Sequence, residues 1–259
     1  MRQTTTALDA AANRLRELHQ IGRPLLLANV WDAATARSVA AAGSPAIATS
    51  SVAMAAARGG SDDNSDHQAA FDQLRQITAA VDVPVTADLE GGYGLSPSDL
   101  VDALLDAGAV GCNIEDTDHS TGDRLLDAEK QAAYLAGVRA AAEERGVGIV
   151  LNARIDAIIR HPQRDPAAAL GEVIRRARLY LDAGADCVYP ISLRDPALVA
   201  RTVNELQRPV NVNPADPLAA LADAGAARIS LGGGVHSWMM RELQRRSTRL
   251  LASDATAFA

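Results

Sequence analysis

Short apolar runs alternate along this chain with longer stretches in which apolar residues recur at helical spacing, as in SPSDLVDALLDAG and DPAAALGEVIRRARLYLDAG. Both stretches open on Ser or Asp, whose side chain can accept a hydrogen bond from the first helical turn, and continue with Pro, which has no N–H to lose there. One phrase recurs: DAGAVGCNIE (residues 106–115), DAGADCVYPI (182–191) and DAGAARISLG (223–232), with AAGSPAIATS (41–50) a looser version. Each predicts the last turn of a helix, a glycine cap and a short buried strand. The pattern predicts strands at residues 25–28, 46–48, 83–87, 110–114, 148–152, 186–189, 210–212 and 228–231, each followed by a helical segment. Eight strand–helix units in a chain of this length predict a (β/α)8 TIM barrel, one domain over residues 1–259 with an N-terminal helix capping it. An open doubly wound sheet is the competing class, but the G-x-G-x-x-G turn of its dinucleotide-binding members is missing after the first strand.

Composition narrows the picture. Apolar residues are 48% of the chain and aromatics only 3%, so aliphatic side chains must fill the core. The formal charge of −7, with no Lys/Arg block, opposes a nucleic-acid partner. The charged N-terminus MRQTTTALDAAANRLRELHQ lacks a signal-like apolar stretch, and no run reaches the length of a membrane span. Cys112 and Cys187 fall in apolar strand-like runs, which predicts buried packing and a reducing, cytoplasmic setting.

In a barrel of this class the chemistry gathers where strands end. Those ends carry Trp31 (strand 1), Ser50 and Ser51 (strand 2), Asp88 and Glu90 (strand 3), Glu115 (strand 4), Arg154 (strand 5), and Asn211 and Asn213 (strand 7). Asp88 and Glu90 lie two apart in VPVTADLEGGYG, so on extended chain they project to one side. Like charges held together call for a cation or a proton. Asp88, Glu90 and Glu115 on adjacent strands are therefore a candidate Mg²⁺ site, partly through water, with Mn²⁺ the substitute ion. The alternative is a set of solvated loop acids. Arg154 has a structural alternative too, an ion pair with Asp156.

Taken together, WDAATARSVAAAG, ATSSVAMAAARGGSDD, VPVTADLEGGYG, VGCNIEDTDH and LNARIDA resemble the isocitrate lyase/phosphoenolpyruvate mutase superfamily from about residue 25 to 234. The resemblance implies the same barrel. It also implies an enzyme that cleaves a C–C bond, or a P–C bond, next to a 2-oxo carboxylate through an enolate held on Mg²⁺. Carried onto this chain, it makes Asp88, Glu90 and Glu115 the metal shell and Ser50 and Ser51 the loop that holds the substrate carboxylate. Asp62, or Asp63 in a shifted register, becomes the acid near the reacting carbon, and Arg154 the substrate-binding and catalytic arginine. Trp31, Asn211 and Asn213 are further candidate substrate contacts. Small 2-oxo or 2-hydroxy carboxylates, an oxaloacetate-type dicarboxylate first among them, are the implied substrates. A homo-oligomer, dimer or tetramer, is the implied assembly.

The sequence departs from the pattern in two places. The lyases' lid Cys after strand 4 is absent from EDTDHSTGDRLLDAEK, and Pro190 stands where phosphonate mutases carry a His. His119 in that lid segment is the remaining candidate acid or base, with Gly122 as a hinge. These departures leave a phosphonopyruvate-processing enzyme, or a 2-oxo-acid-binding barrel without catalysis, as alternatives. A metal-free sugar-phosphate site at Gly232–Gly234 is a third.

Overall fold

The computed structural model describes residues 3–60, 66–119 and 122–258. Its helices begin and end on the residues that the sequence marks. Ser96 Oγ accepts from Asp99 N (3.2 Å) and Asp165 Oδ1 from Ala167 N (2.9 Å), just ahead of α5 (Pro97–Asp106) and α8 (Pro166–Asp182). At the other end, Gly108, Gly184 and Gly225 take φ of 80°, 97° and 91°, the left-handed turn that releases the chain into the next strand. Helix α1 (Thr5–Glu17) comes first. Then β1 (Leu25–Leu27) leads to α2 (Ala33–Ala41), and β2 (Ile47–Ala48) to α3 (Ser51–Ala57) and α4 (His67–Thr78). Strand β3 (Val85–Asp88) feeds α5, and β4 (Gly111–Glu115) runs into a hairpin, β5 (Thr117–Asp118) and β6 (Arg124–Leu125), before α6 (Ala128–Glu144). The second half continues with β7 (Val150–Ile155), α7 (Ala157–Arg160) and α8, then β8 (Cys187–Pro190) and α9 (Pro196–Leu206). It ends with β9 (Asn211–Val212), α10 (Leu218–Asp223), β10 (Arg228–Ser230) and α11 (Gly234–Leu251).

Pairing between the strands, apart from the β5–β6 hairpin, is parallel among the described residues, in the orders β2-β3-β4-β7-β8 and β1-β10-β9. Parallel bridges Val30↔Thr49 and Val188↔Val210 join the two runs at both seams, so eight strands close into the expected barrel. Helix α1 plugs the end where the strands begin. It buries Leu8, Ala11, Ala12 and Leu15 there, and Arg16 donates to Gly148 O, Ile149 O and Asp186 Oδ1 at 2.6, 3.0 and 2.9 Å. The fit is close: a Cβ on Gly111 would sit 2.8 Å from Leu15 Cδ2 and 3.0 Å from Val150 O. Burial pushes the thiols of Cys112 and Cys187 up to about 12, the inert state expected for them. No helix among the described residues is long and apolar enough to cross a membrane.

Helix α11 differs from the others. It buries no residue, and Trp238 is 59% exposed, with Met240 and Leu243 also bare. The barrel wall nearby keeps an apolar groove of about 710 Å³ lined by Leu18, Leu26, Val39, Leu218 and Leu231.

His19 lies at the plugged end. It is buried and its Nδ1 sits 2.9 Å from Leu15 O, a spacing that suits an Nδ1–H donor. Burial first, and the nearby Arg228 charge second, lower its pKa from 6.5 to about 4. The unfolded chain takes a proton near 6.5 and the folded one only near 4, so acid favours unfolding across that window. Stability should therefore fall by about 3 kcal/mol as pH drops through it. Urea melts across this range should show the slope, and His19→Leu should flatten it; a slope that persists in the variant assigns the loss to other groups.

Candidate active site

The strand ends open on a cavity of about 260 Å³. Asp88, from the last position of β3, is its most engaged wall residue. Asp88 Oδ2 accepts from Ser51 N (3.1 Å) and Ser51 Oγ (3.0 Å), and Oδ1 from Asn113 Nδ2 (2.9 Å). Ser51 opens α3, so the carboxylate meets the positive end of a helix. All three donors are neutral, so the Asp88 charge is held in place without an ion pair in contact. Ser50, Ser51, Asp88 and Arg154 line the same cavity, four of the candidates read from the sequence.

Arg154 is locked between two acids. Its Nη1 meets Glu115 Oε2 at 2.5 Å, and its Nε and Nη2 donate to Asp156 Oδ1 and Oδ2 at 2.7 and 3.2 Å. The Asp156 ion pair foreseen as a structural alternative is thus present together with a Glu115 contact. Burial alone would lower the Arg154 pKa, but Asp156 and Glu115 outweigh it and hold the guanidinium above its usual value. Glu115 also bonds His119 Nε2, whose Nδ1 sits 2.7 Å from Asp123 Oδ1. Burial pushes the Glu115 carboxyl up while His119 and Arg154 oppose that push. The Glu115 bond, ahead of Asp123 and against partial burial, raises His119 to about 9, so the imidazole is cationic at neutral pH.

Other candidates lie elsewhere. Strand β3 stops at Asp88 and Glu90 has φ 51°, so the alternation that would put both acids on one side does not extend to it. Glu90 is buried in that turn, and its carbonyl accepts from Glu115 N at 2.9 Å. Among the described residues no group of three His, Cys, Asp or Glu side chains stands at metal-holding spacing. Trp31 is buried edge-on against His236, with ring centroids 4.8 Å apart. Asn211 donates to Ser230 Oγ (3.1 Å), and Asn213 donates to the Tyr189 hydroxyl (2.8 Å) while accepting from Ser192 N (2.7 Å). In the glycine turn, Gly232 N donates to Asn29 Oδ1 (2.8 Å) and Gly234 N to Leu231 O (3.2 Å), which leaves little for a phosphate. Asp62, Asp63 and the lid residues Ser120 and Thr121 lie outside the described residues.

The sequence reading missed Arg228, Asn113, Thr86 and Tyr189, which also line the cavity. For Arg228 a signal existed. In the recurring phrase it occupies the position of Gly111 and Cys187, and a charged residue there departs from two small ones.

A parallel eight-stranded barrel with acids, an arginine and hydroxyls around a pocket at its strand ends defines the class of barrels that carry their sites on that face. Within that class the chain belongs to the phosphoenolpyruvate phosphomutase family, whose pattern matches residues 15–251. It is 31% identical over 223 residues to an uncharacterised protein of Mycobacterium tuberculosis, covering 85% of this chain and 82% of that one. A crystal structure from Burkholderia cenocepacia, described provisionally as a phosphonomutase, superposes with a TM-score of 0.87 at 38% identity, over 93% of this chain and 99% of that one. The structure of oxaloacetate acetylhydrolase with its product oxalate shares the fold at a TM-score of 0.83 and 20% identity, over 96% and 88% of the two chains. Other relatives carry lyase and mutase names.

Arg154→Ala would leave Glu115 and Asp156 buried without their shared cation. A loss of about 3–5 kcal/mol is expected in denaturant melts. Arg154→Lys should recover only part, because an ammonium cannot bridge both acids in the guanidinium's geometry. Wild-type stability in Arg154→Ala would mean that the two acids do not depend on it.

Proposed function

We propose that this protein is a divalent-metal-dependent enzyme that cleaves the C–C bond next to the keto group of a small 2-oxo or 2-hydroxy carboxylate, with an oxaloacetate-type dicarboxylate as the leading substrate. The observation that carries this reading is Asp88: a carboxylate on the cavity wall whose hydrogen bonds among the described residues come from neutral donors. Such a group suits a cation, and Mg²⁺ commonly takes one or two carboxylates and fills its remaining positions with water and substrate oxygens. That donor set fits Mg²⁺, or Mn²⁺, held directly by Asp88, with Glu115 and Glu90 acting through water; it does not fit a cage of three direct carboxylates. When bound, the ion would draw electron density from the keto oxygen as the neighbouring bond breaks.

The chain's own groups supply the rest. Three of the five N–H groups of Arg154 are engaged by acids, and two remain to grip a substrate carboxylate in a fixed orientation. The buried Ser50 hydroxyl has no partner and is a further donor at the same cavity. His119, kept protonated by Glu115, is suited to give a proton to the departing fragment. Asp62 is proposed as the acid near the reacting carbon on family grounds. The 38% identity to the provisional phosphonomutase favours a second reading, in which the bond cleaved is P–C of a phosphonopyruvate.

We further infer a homo-oligomer working in the cytoplasm. The uncovered apolar residues of α11 and the open groove beside it support self-association.

Two measurements follow. Release of oxalate and acetate from oxaloacetate and water, or of a 2-oxo acid from 2-hydroxy acids in a substrate panel, should require Mg²⁺, and Asp88→Ala should abolish metal-dependent ligand binding while circular dichroism stays native. Unchanged affinity in Asp88→Ala removes that residue from the site, and binding without turnover turns the reading toward a binder. Size-exclusion chromatography should show an oligomer that Trp238→Asp reduces to smaller species; an unaltered elution volume takes α11 out of the interface.

A further inference from the structure

Arg228 is buried inside the barrel at the first position of β10, and its Nε and Nη1 have no hydrogen-bond partner among the described residues. The other arginines drawn into the barrel's interior and walls are neutralised: Arg139 meets Asp186 at 2.5 Å, Arg154 meets Glu115 and Asp156, and Arg176 meets Asp116 at 2.9 Å. Among the described residues Arg228 makes no such pair. Burying a charge without a partner is costly, so a chain keeps one where something else completes it.

The direction of that something is given by the surroundings. Arg228 reaches the same cavity as Asp88 and Tyr189, close enough for the Asp88 carboxylate to act on it. Two more polar atoms on this cavity are buried and unpartnered, Ser50 Oγ and Thr86 Oγ1. Two guanidinium nitrogens and two hydroxyls on the lining of one small space are therefore without a hydrogen bond to any described residue. Burial lowers the Arg228 pKa, yet a guanidinium remains protonated at neutral pH, so the convergent set is a cationic donor group. A planar fork of N–H groups matches a carboxylate in two-point contact.

We propose that Arg228, with the hydroxyls of Ser50 and Thr86, receives a second anionic group of the substrate, so that the cavity selects dicarboxylates over monocarboxylates. This rests on the 2-oxo acid reading above and deepens it. The carboxylate beside the keto group is held at the Asp88 and Arg154 end, and the distal one reaches Arg228. A cavity of about 260 Å³ suits an acid of this size.

The test compares the ratio of affinities for oxaloacetate or 2-oxoglutarate against pyruvate, by calorimetry with Mg²⁺ on the full chain. Arg228→Gln should lower that ratio roughly 10- to 100-fold, the value of a charge-assisted hydrogen bond or two, through loss of dicarboxylate affinity alone. Arg228→Lys, which keeps the charge and loses the fork, should give an intermediate ratio and serves if the glutamine variant does not fold. In the absence of ligand, Arg228→Met should melt about 2–4 °C higher, because it removes an unpaired buried charge. An unchanged ratio, an equal loss for pyruvate, or a wild type that binds no dicarboxylate overturns the subsite. The two readings also separate. Succinate binding without metal that disappears in Arg228→Gln, beside absent turnover, keeps the subsite and removes the enzyme reading. Mg²⁺-dependent turnover with an unmoved ratio does the reverse.

Discussion

Closure of the barrel depends on hydrogen bonds that the backbone alone supplies sparingly. Strands β2 and β9 are two residues long, and the seams on either side of the β1-β10-β9 run rest on single bridges between Val30 and Thr49 and between Val188 and Val210. Side chains at the strand ends complete the cylinder. Asn29 donates to Thr49 O (2.7 Å) and accepts from Gly232 N, tying strands β1, β2 and β10 together, and Thr49 Oγ1 accepts from Asp88 N (2.9 Å). The upper layer of the barrel is polar for this reason: the groups that close it are the groups that surround the cavity. The hydrogen bonds of such a wall set the direction of its dipoles within the fold itself, and dipoles fixed in advance act without reorganising.

Charge in the interior is arranged with the same economy. Asp116 is fully buried, yet Arg176 Nη1 and the Tyr180 hydroxyl donate to its Oδ2 at 2.9 and 2.8 Å, and Asp156 N donates to Oδ1 at 2.8 Å. Asp156 in turn anchors Arg154, which anchors Glu115, which anchors His119 just after β5. The chain of contacts runs from the barrel wall as far as His119, at the entry to the loop of the β5–β6 hairpin. Removing one member leaves an uncompensated buried charge, so the network tolerates little change. Arg228 stands outside it, which is why its solitude carries meaning.

Much of this was legible in the chain. Cap residues, prolines at helix starts and glycines at helix ends located the strand–helix units, because those preferences act within a few residues. Ser50, Ser51, Asp88 and Arg154 reach the cavity because each lies at or close to the end of a strand, and a parallel barrel brings strand ends to one face. Alternation gave the wrong impression for Glu90, since it assumes extended chain and the backbone turns to positive φ there. Asn211 and Asn213 were placed on the right strand, but their hydrogen bonds go to Ser230, Tyr189 and Ser192, partners from other strands that local pattern does not reveal.

The sequence by itself determined the elements, their order and the family, because caps, periodicity and motif spacing are local properties that survive in any folded context. Only the tertiary structure decided which charges are spent on one another and which remain. Whether, among the described residues, Arg154 is already held by two acids, Asp88 by neutral donors, or Arg228 by no ion pair is a matter of distances in the folded chain. Electrostatic energy depends on those distances and on burial, and neither is written in the order of the residues.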